Sequence, residues 1–161
     1  MELVGVRVEV PANTPVVVLR EEEGRHRLLP ILIGSPEASA IHAALEGIVP
    51  PRPLTHDLFV DVLATVHTEV RSIVITEVRE HTFFAELHLV TGGTEVTVSS
   101  RPSDAIAIAV RVGCPIFAAP ELLDEVAIES GATEIGEQEE EAILDEFRDF
   151  LDDINPEDFS A

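Results

Sequence analysis

Two Arg-Pro dipeptides, each followed within five residues by an aspartate, are the stretches of this sequence best equipped for chemistry. The first lies in PPRPLTHD (50–57) and the second in SRPSDA (100–105). Proline keeps the backbone of the preceding residue extended, and the planar guanidinium of arginine binds phosphate through paired hydrogen bonds. A neighbouring carboxylate can accept a proton or bind a divalent ion. These residue types therefore indicate a site that holds an anionic ligand and acts on it.

The first three predicted helices bear on this site, and two of them begin with these Arg-Pro stretches. Ser35 is the expected N-cap of the first helix and Thr55 of the second, and Pro102 lies near the start of the third. The N-terminus of a helix exposes unpaired N–H groups and about half a positive charge, which favours bound phosphate. If the two Arg-Pro stretches serve one site, their charged side chains should lie within about 10 Å of one another, across one bound anion. Those side chains are Arg52, His56, Arg101 and Asp104.

A purely structural interpretation of the same residues stays open. An acidic residue in the first turn of a helix often only complements the helix dipole, and this applies to Glu37, Asp57 and Asp104. Arg52 and Arg101 could form salt bridges with these carboxylates, and His56 could simply be solvated. The sequence therefore leaves two classes of function. One is a hydrolase that cleaves phosphodiesters, and the other is a non-catalytic protein that binds a phosphorylated ligand or assembles into an oligomer.

Hydrophobic spacing predicts the elements that must position these residues. Strands are expected over 3–10, 15–22, 26–34, 72–78, 82–90, 94–100 and 115–118, and helices over 35–47, from residue 55 onward, 101–113 and 120–128. Pro30 places the third strand at a sheet edge or at a bulge.

The order strand, strand, helix occurs twice, at an offset of 66 residues. Pro36 and Pro102 open equivalent helices, which end at Gly47 and Gly113. A duplicated ββα unit predicts an α+β fold with a mixed or antiparallel sheet and helices packed on it. The helices at 35–37 and 101–104 should then begin at equivalent places.

The charge of the chain restricts its partners. The net charge is −21 and every basic residue other than histidine is arginine; residues 1–118 contribute −6 and residues 119–161 contribute −15. Nucleic acid is repelled by such a protein at long range, so any contact with it must come from a local arginine patch. There is no long apolar run for a membrane span and no signal peptide. A single cysteine, Cys114, indicates a buried thiol in a cytoplasmic protein.

The C-terminal quarter is expected to lie outside the main domain, which spans 1–128. Residues 129–142 indicate a flexible acidic linker. Residues 143–154 have apolar side chains at helical spacing, so an amphipathic helix is expected there; they are Ile143, Leu144, Phe147, Phe150, Leu151 and Ile154. Such a helix could dock on its own domain, on another subunit or on another protein.

Three stretches in order, LLPILIGSPEASAIHAALEG, PPRPLTHDL and SSRPSDAIAIAVRVGCPIF, resemble the bifunctional nuclease domain family over about residues 3–128. The resemblance implies an α+β domain that forms homo-oligomers and a nuclease that cleaves RNA, DNA or both. It carries over the motif positions Glu37, Arg52, His56, Asp57, Arg101, Ser103 and Asp104. The chemistry of these residue types then assigns the roles: the expected catalytic residues are His56, Asp57, Asp104 and Glu37, and the expected phosphate-binding residues are Arg52, Arg101 and Ser103. Asp104 and Glu37 are also the expected ligands of a divalent ion, Mg²⁺ or Mn²⁺.

Overall fold

The computed structural model describes residues 1–9 and 14–129, which form two β-sheets and four α-helices. The strands are β1 (Glu2–Glu9), β2 (Thr14–Arg20), β3 (Leu28–Leu32), β4 (Thr68–Arg79), β5 (Thr82–Thr91), β6 (Thr94–Ser100) and β7 (Ile116–Ala118). The helices are α1 (Ser35–Leu45), α2 (Thr55–Thr65), α3 (Pro102–Val112) and α4 (Pro120–Val126). Val10 of the predicted first strand and the predicted helix at 143–154 lie outside the described residues.

The two sheets have different strand orders. The first sheet is antiparallel in the order β1-β2-β3, and the second has the order β6-β5-β4-β7. Strands β4, β5 and β6 pair antiparallel, whereas β7 pairs parallel to β4. Pro30 lies in β3 at the edge of the first sheet. The predicted α+β fold with antiparallel and mixed sheets is therefore confirmed, and the order β-β-α occurs at both β2-β3-α1 and β5-β6-α3.

Helix α3 is the centre of the core. Its residues 105–109, with the sequence AIAIA, are all buried. The small side chains of the alanines let the helix lie close to its neighbours. α3 packs against α1, α2 and the strands β4 and β5. Gly113 ends the helix in the left-handed conformation with a φ angle of 70°, which glycine adopts without steric cost. The core therefore fixes the start of α3 against the start of α1.

Helix α2 is attached to the domain mainly by one side. Val60 and Leu63 are half-buried and pack against the core, but the helix contains no fully buried residue. The N-caps of α1 and α2 are Gly34 and Leu54, and neither cap makes a side-chain hydrogen bond. The predicted caps Ser35 and Thr55 are therefore wrong by one residue. In α2, the Asp57 carboxylate accepts the N–H of the cap residue Leu54 at 2.9 Å, which is the part of a capping box that an acidic residue at the third helical position supplies.

A buried arginine joins the first sheet to α4. The Arg27 guanidinium, whose side chain is 10% exposed, pairs with Glu21 at 2.9 Å and with Asp124 at 2.6 Å. The hydrogen bond from Arg27 lowers the pKa of Glu21 to about 2. In the described part of the chain, no helix is both long enough and apolar enough to cross a bilayer.

Candidate functional site

The starts of α1 and α3 meet at Arg101, the N-cap of α3. Arg101 binds Asp104 side-on, with Nε 2.7 Å from Oδ2 and Nη2 3.0 Å from Oδ1. The same Nη2 donates to Glu37 Oε1 at 3.0 Å, although the two residues are 64 positions apart. Extended backbone at Arg101, which Pro102 favours, turns the guanidinium back over the first turn of its own helix. One arginine therefore holds a carboxylate from each ββα unit.

His56, in the first turn of α2, completes this cluster. Its Nε2 lies 3.1 Å from Asp104 Oδ1, and its side chain is 15% exposed. The structure thus brings together Glu37, His56, Arg101 and Asp104, which three helices supply. We refer to these four residues as the Arg101 cluster.

The charges within the Arg101 cluster stabilise one another. Burial of the Asp104 carboxyl works against ionisation, but hydrogen bonds from Arg101 and His56 outweigh it, so the pKa of Asp104 is lowered. The hydrogen bond to Asp104 also raises the pKa of the Arg101 guanidinium. Asp104 is therefore an anion at neutral pH and acts only as a hydrogen-bond acceptor toward His56 and Arg101.

Asp57 lies beside the cluster but has a different partner. Its Oδ1 accepts a hydrogen bond from Arg111 Nε at 2.6 Å, while Oδ2 accepts the Leu54 N–H. The hydrogen bond from Arg111, followed by that from Leu54, lowers the pKa of Asp57. Arg111 also donates to the carbonyls of Ala107 and Ala40. Arg111 could not be singled out from the sequence, because a basic residue in the last turn of a helix ordinarily indicates only a favourable dipole interaction.

Gly34 is a second residue that could not be singled out from the sequence. A Cβ atom at this position would lie 2.2 Å from Glu37 Oε2, and the φ angle of Gly34 is −74°, which any residue can adopt. The glycine is therefore needed for space and not for backbone conformation. The sequence offers one signal for this role, namely that Gly34 directly precedes Ser-Pro-Glu. A glycine just before a helix is common for conformational reasons, so this signal does not single it out.

The two remaining predicted phosphate ligands occupy different settings. Arg52 is exposed in the segment between α1 and α2 and makes no hydrogen bond or ion pair with the part of the chain that the structure describes. Ser103 is only 6% exposed, in the first turn of α3. Arg52 is free to meet a ligand from outside, whereas Ser103 lies beneath the surface. The roles of both residues stay predictions.

Three residues of the Arg101 cluster, His56, Arg101 and Asp104, line an open cleft of about 540 Å³ between α2 and the edge strand β6. The polar end contains His56, Arg101, Asp104, Thr55, Ser99 and Ser100, and the apolar part contains Phe59, Leu87, Val98 and Ile108. The cleft is large enough for a nucleotide-sized ligand. A phosphate at its polar end would meet Arg101, and an apolar or aromatic group could lie against Phe59.

The cluster does not have the arrangement of a ready-made metal site. Among the described residues, no three His, Cys, Asp or Glu side chains converge as ligands. The Arg101 guanidinium lies between the carboxylates of Glu37 and Asp104, in the place that a shared cation would need. The predicted ligand pair Glu37 and Asp104 therefore does not fit a divalent ion as these side chains are placed.

Comparison with known proteins identifies the family. The sequence model of the bifunctional nuclease domain matches residues 17–131, which include all four residues of the Arg101 cluster. The chain belongs to the bifunctional nuclease domain family. The bifunctional nuclease domain thus covers both ββα units from β2 onward and ends just after α4.

Relatives of this bifunctional nuclease domain fall into two groups. An uncharacterized protein of Mycobacterium tuberculosis (strain ATCC 25618 / H37Rv) is 41% identical over 168 residues, which cover 100% of this chain and 98% of that protein. Bifunctional nuclease 2 of Oryza sativa subsp. japonica is 34% identical over 70% of this chain but only 35% of its own length. Bifunctional nuclease 2 of Arabidopsis thaliana is 35% identical over 62% of this chain and 31% of its own length. The plant relatives therefore share the domain and carry much additional chain.

Proposed function

We propose that this chain is a nuclease that hydrolyses phosphodiester bonds in RNA, DNA or both. The observation that carries the proposal is the Arg101 cluster: a cation for phosphate and a carboxylate-bound histidine lie together at the polar end of an open cleft. Membership of the bifunctional nuclease domain family and the names of the plant relatives support the same reaction.

In this proposal, His56 moves the proton. Asp104 is ionised and accepts the hydrogen bond from His56, so the proton of the neutral ring lies on Nε2 and the lone pair on Nδ1. Nδ1 has no hydrogen-bond partner among the described residues. It can therefore take a proton from the water that attacks phosphorus, as a general base does, while the bond to the leaving oxygen breaks and that oxygen takes a proton from solvent. Asp104 acts through His56 as a positioning residue.

Arg101 binds the phosphate. Its Nε and Nη2 are held by Asp104 and Glu37, while Nη1 makes no hydrogen bond with the part of the chain described. The Arg101 side chain is 64% exposed, so Nη1 can reach a phosphate oxygen in the cleft. Charge that develops on the phosphate oxygens would be stabilised by this guanidinium, which the two carboxylates already hold in place. Exposed Arg52 would add a second contact with the nucleic-acid backbone.

The test is cleavage of labelled single- and double-stranded oligonucleotides by the full chain and by His56→Ala and Arg101→Ala variants. The expected result is a loss of activity of about 100-fold or more in each variant. Arg71→Ala, which removes an exposed arginine paired with Glu95, is the matched control and should keep the wild-type rate. All variants must be purified in parallel, because a contaminating nuclease would cleave equally in every preparation. Equal cleavage by wild type and His56→Ala would contradict the proposal.

Two further expectations are parts of the proposal that the same preparations can test. A divalent ion, Mg²⁺ or Mn²⁺, stays a prediction, and cleavage measured with and without a chelator tests it. We expect nucleic acid and a second copy of this chain as partners, and a cytoplasmic location. Sedimentation of the pure chain would show whether it forms homo-oligomers.

The alternative function is a protein that binds a phosphorylated ligand without cleaving it. One observation favours a non-catalytic role for the cluster: Arg101 already has two carboxylate partners, as an arginine in a structural ion-pair network does, and only its Nη1 is left for a ligand among the described contacts. Binding of an oligonucleotide that depends on Arg101, without cleavage in any preparation, would support this alternative and contradict the nuclease.

A further inference from the structure

Helix α2 exposes an unusual number of apolar side chains. Five of them are between 40% and 56% exposed: Leu54 at its N-cap, then Leu58, Phe59, Val62 and Val66. A surface helix normally presents polar residues at such positions, and its apolar residues face the core. Here Val60 and Leu63 already face the core, so the exposed residues form a second apolar face on the same helix.

This second face continues onto the neighbouring edge strand. In β6, Val96 is 40% exposed and Val98 is 41% exposed. Phe59 of α2 and Val98 of β6 line the same cleft, which joins the two elements into one apolar area. We refer to Leu58, Phe59, Val62, Val66, Val96 and Val98 as the α2–β6 surface. A continuous apolar area of this kind indicates that something covers it.

We propose that residues 143–154 of this same chain cover the α2–β6 surface. Those twelve residues carry six apolar side chains at helical spacing, including Phe147 and Phe150. As a helix they would measure about 18 Å, close to the about 16 Å of the eleven-residue α2. The segment is thus about as long as α2, and its apolar face can cover the exposed apolar side of that helix. This inference concerns binding within the chain and does not depend on the nuclease reaction.

The segment can reach this surface. The described structure ends at Glu129, and thirteen residues, 130–142, lie between that point and Ile143. Thirteen extended residues span up to about 45 Å. A domain of this size has a radius of gyration of about 14 Å, so its opposite sides are within that reach. The distance along the chain therefore allows docking in cis.

Charge and family extent favour this occupant as well. The polar positions of 143–154 carry Asp145, Glu146, Asp149, Asp152 and Asp153, and exposed Arg101 lines the cleft that Phe59 and Val98 of the α2–β6 surface also line. The acidic segment would therefore be attracted to that cleft. The family match stops at residue 131, yet the match to the M. tuberculosis relative covers all of this chain, including the segment.

Limited proteolysis with trypsin tests the proposal in the full chain. There is no lysine, and Arg148, in the middle of the segment, is its only basic residue. Trypsin does not cut before proline, so Arg52 and Arg101 are resistant, and exposed Arg25 serves as an internal reference. A docked segment should protect Arg148, because cleavage requires the segment to detach first.

Substitutions on α2 locate the docking site. Val62→Glu places a charge within the α2–β6 surface, and cleavage at Arg148 should then be at least about tenfold faster than in the wild type. Ala64→Glu is the matched control, because Ala64 is exposed two positions along α2 and therefore on the opposite flank of the helix. It should leave the wild-type rate unchanged. The sequence around Arg148 is the same in all variants, so its intrinsic cleavage rate cancels.

Several outcomes would overturn the proposal. Equal Arg148 cleavage in wild type and Val62→Glu would show that the segment does not lie on this surface, and Leu58→Glu provides an independent repeat. Protection that disappears on dilution would show that a second copy supplies the segment. A wild-type oligomer that Val62→Glu dissociates, with Arg148 cleaved freely in both proteins, would make the second copy itself the occupant.

Discussion

Arg111 Nε lies 2.6 Å from Asp57 Oδ1, and this ion pair ties the last turn of α3 to the first turn of α2. His56 is the residue directly before Asp57. The same guanidinium also donates to carbonyls of α1 and of α3, at Ala40 and Ala107. Val60 and Leu63 pack α2 against the apolar core further along the helix. The Arg111–Asp57 ion pair therefore holds the first turn of α2 in place, and with it His56.

Arg111→Ala should lower the free energy of unfolding by about 2 to 4 kcal/mol, because it removes the charged partner of the Asp57 carboxylate, which keeps the Leu54 N–H, together with two side-chain bonds to helix carbonyls. Urea denaturation measures this change. Arg71→Ala, which removes an exposed pair with Glu95, should change stability by less than about 1 kcal/mol. Equal stability of the Arg111→Ala variant and the wild type would show that Arg111 does not hold α2 in place.

Much of the fold follows from local signals in the sequence. Pro36 and Pro102 mark the first turns of α1 and α3, Gly113 marks the end of α3, and the repeated order of strands and helices predicts that α1 and α3 begin at equivalent places. The contact between Glu37 and Arg101 is consistent with that equivalence. Each of these signals acts within a few residues along the chain, which is why a single sequence contains it.

The partner of each charged side chain could not be predicted in the same way. Asp57 and Asp104 look alike in sequence, each a few residues after an Arg-Pro, yet Asp57 pairs with Arg111 and Asp104 pairs with Arg101 and His56. The choice depends on how α1, α2 and α3 pack around one another. The exposure of the apolar face of α2 could not be predicted either, because helical spacing shows that residues share a face but not whether that face is covered.

Gly34→Ala should reduce cleavage by about ten- to a hundredfold with little loss of stability. The new methyl group would displace the Glu37 carboxylate from Arg101, and misplacement of a phosphate-binding group by about an ångström costs rate on that scale. The backbone at Gly34 suits alanine, so the free energy of unfolding should change by less than about 1 kcal/mol. Cleavage rates and thermal unfolding measure the two effects.

Ser39→Ala is the control for this substitution, since it removes an exposed hydroxyl from the same helix, away from the Arg101 cluster. If Gly34→Ala cleaves at the wild-type rate, Glu37 does not contribute to the reaction through Arg101.

Arg52→Gln should weaken nucleic-acid binding while the rate at saturating substrate stays near that of the wild type. Arg52 is exposed and outside the Arg101 cluster, so its expected contribution is one contact with a phosphate. Loss of one such contact should lower the slope of log K against log salt by about one. Oligonucleotide affinity measured over a range of salt concentrations tests this expectation. An unchanged slope, with Arg71→Gln as reference, would place the nucleic acid elsewhere.

Glu21 should make the fold sensitive to acid. Its pKa is about 2 in the folded protein against an ordinary 4.5, so its pairing with Arg27 contributes fully above pH 4.5 and is lost as pH falls toward 2. Glu21→Gln should therefore be less stable at neutral pH, and its free energy of unfolding should fall less steeply between these pH values. Urea denaturation at several pH values measures both effects.

Glu95→Gln provides the reference, because Glu95 forms only an exposed ion pair, with its side chain 78% exposed. If Glu21→Gln and wild type lose stability in parallel as pH falls, another carboxylate accounts for the acid sensitivity.

Glu37 comes from the first ββα unit, and Arg101 and Asp104 come from the second. The cluster is therefore a property of the contact between two halves of the chain, and neither half contains it. A larger side chain at buried Ala40, whose carbonyl accepts a hydrogen bond from Arg111 of α3, would therefore change the distance that the Arg101 guanidinium must span. The small buried side chains of α1 and α3 therefore set the geometry of the site as well as that of the core.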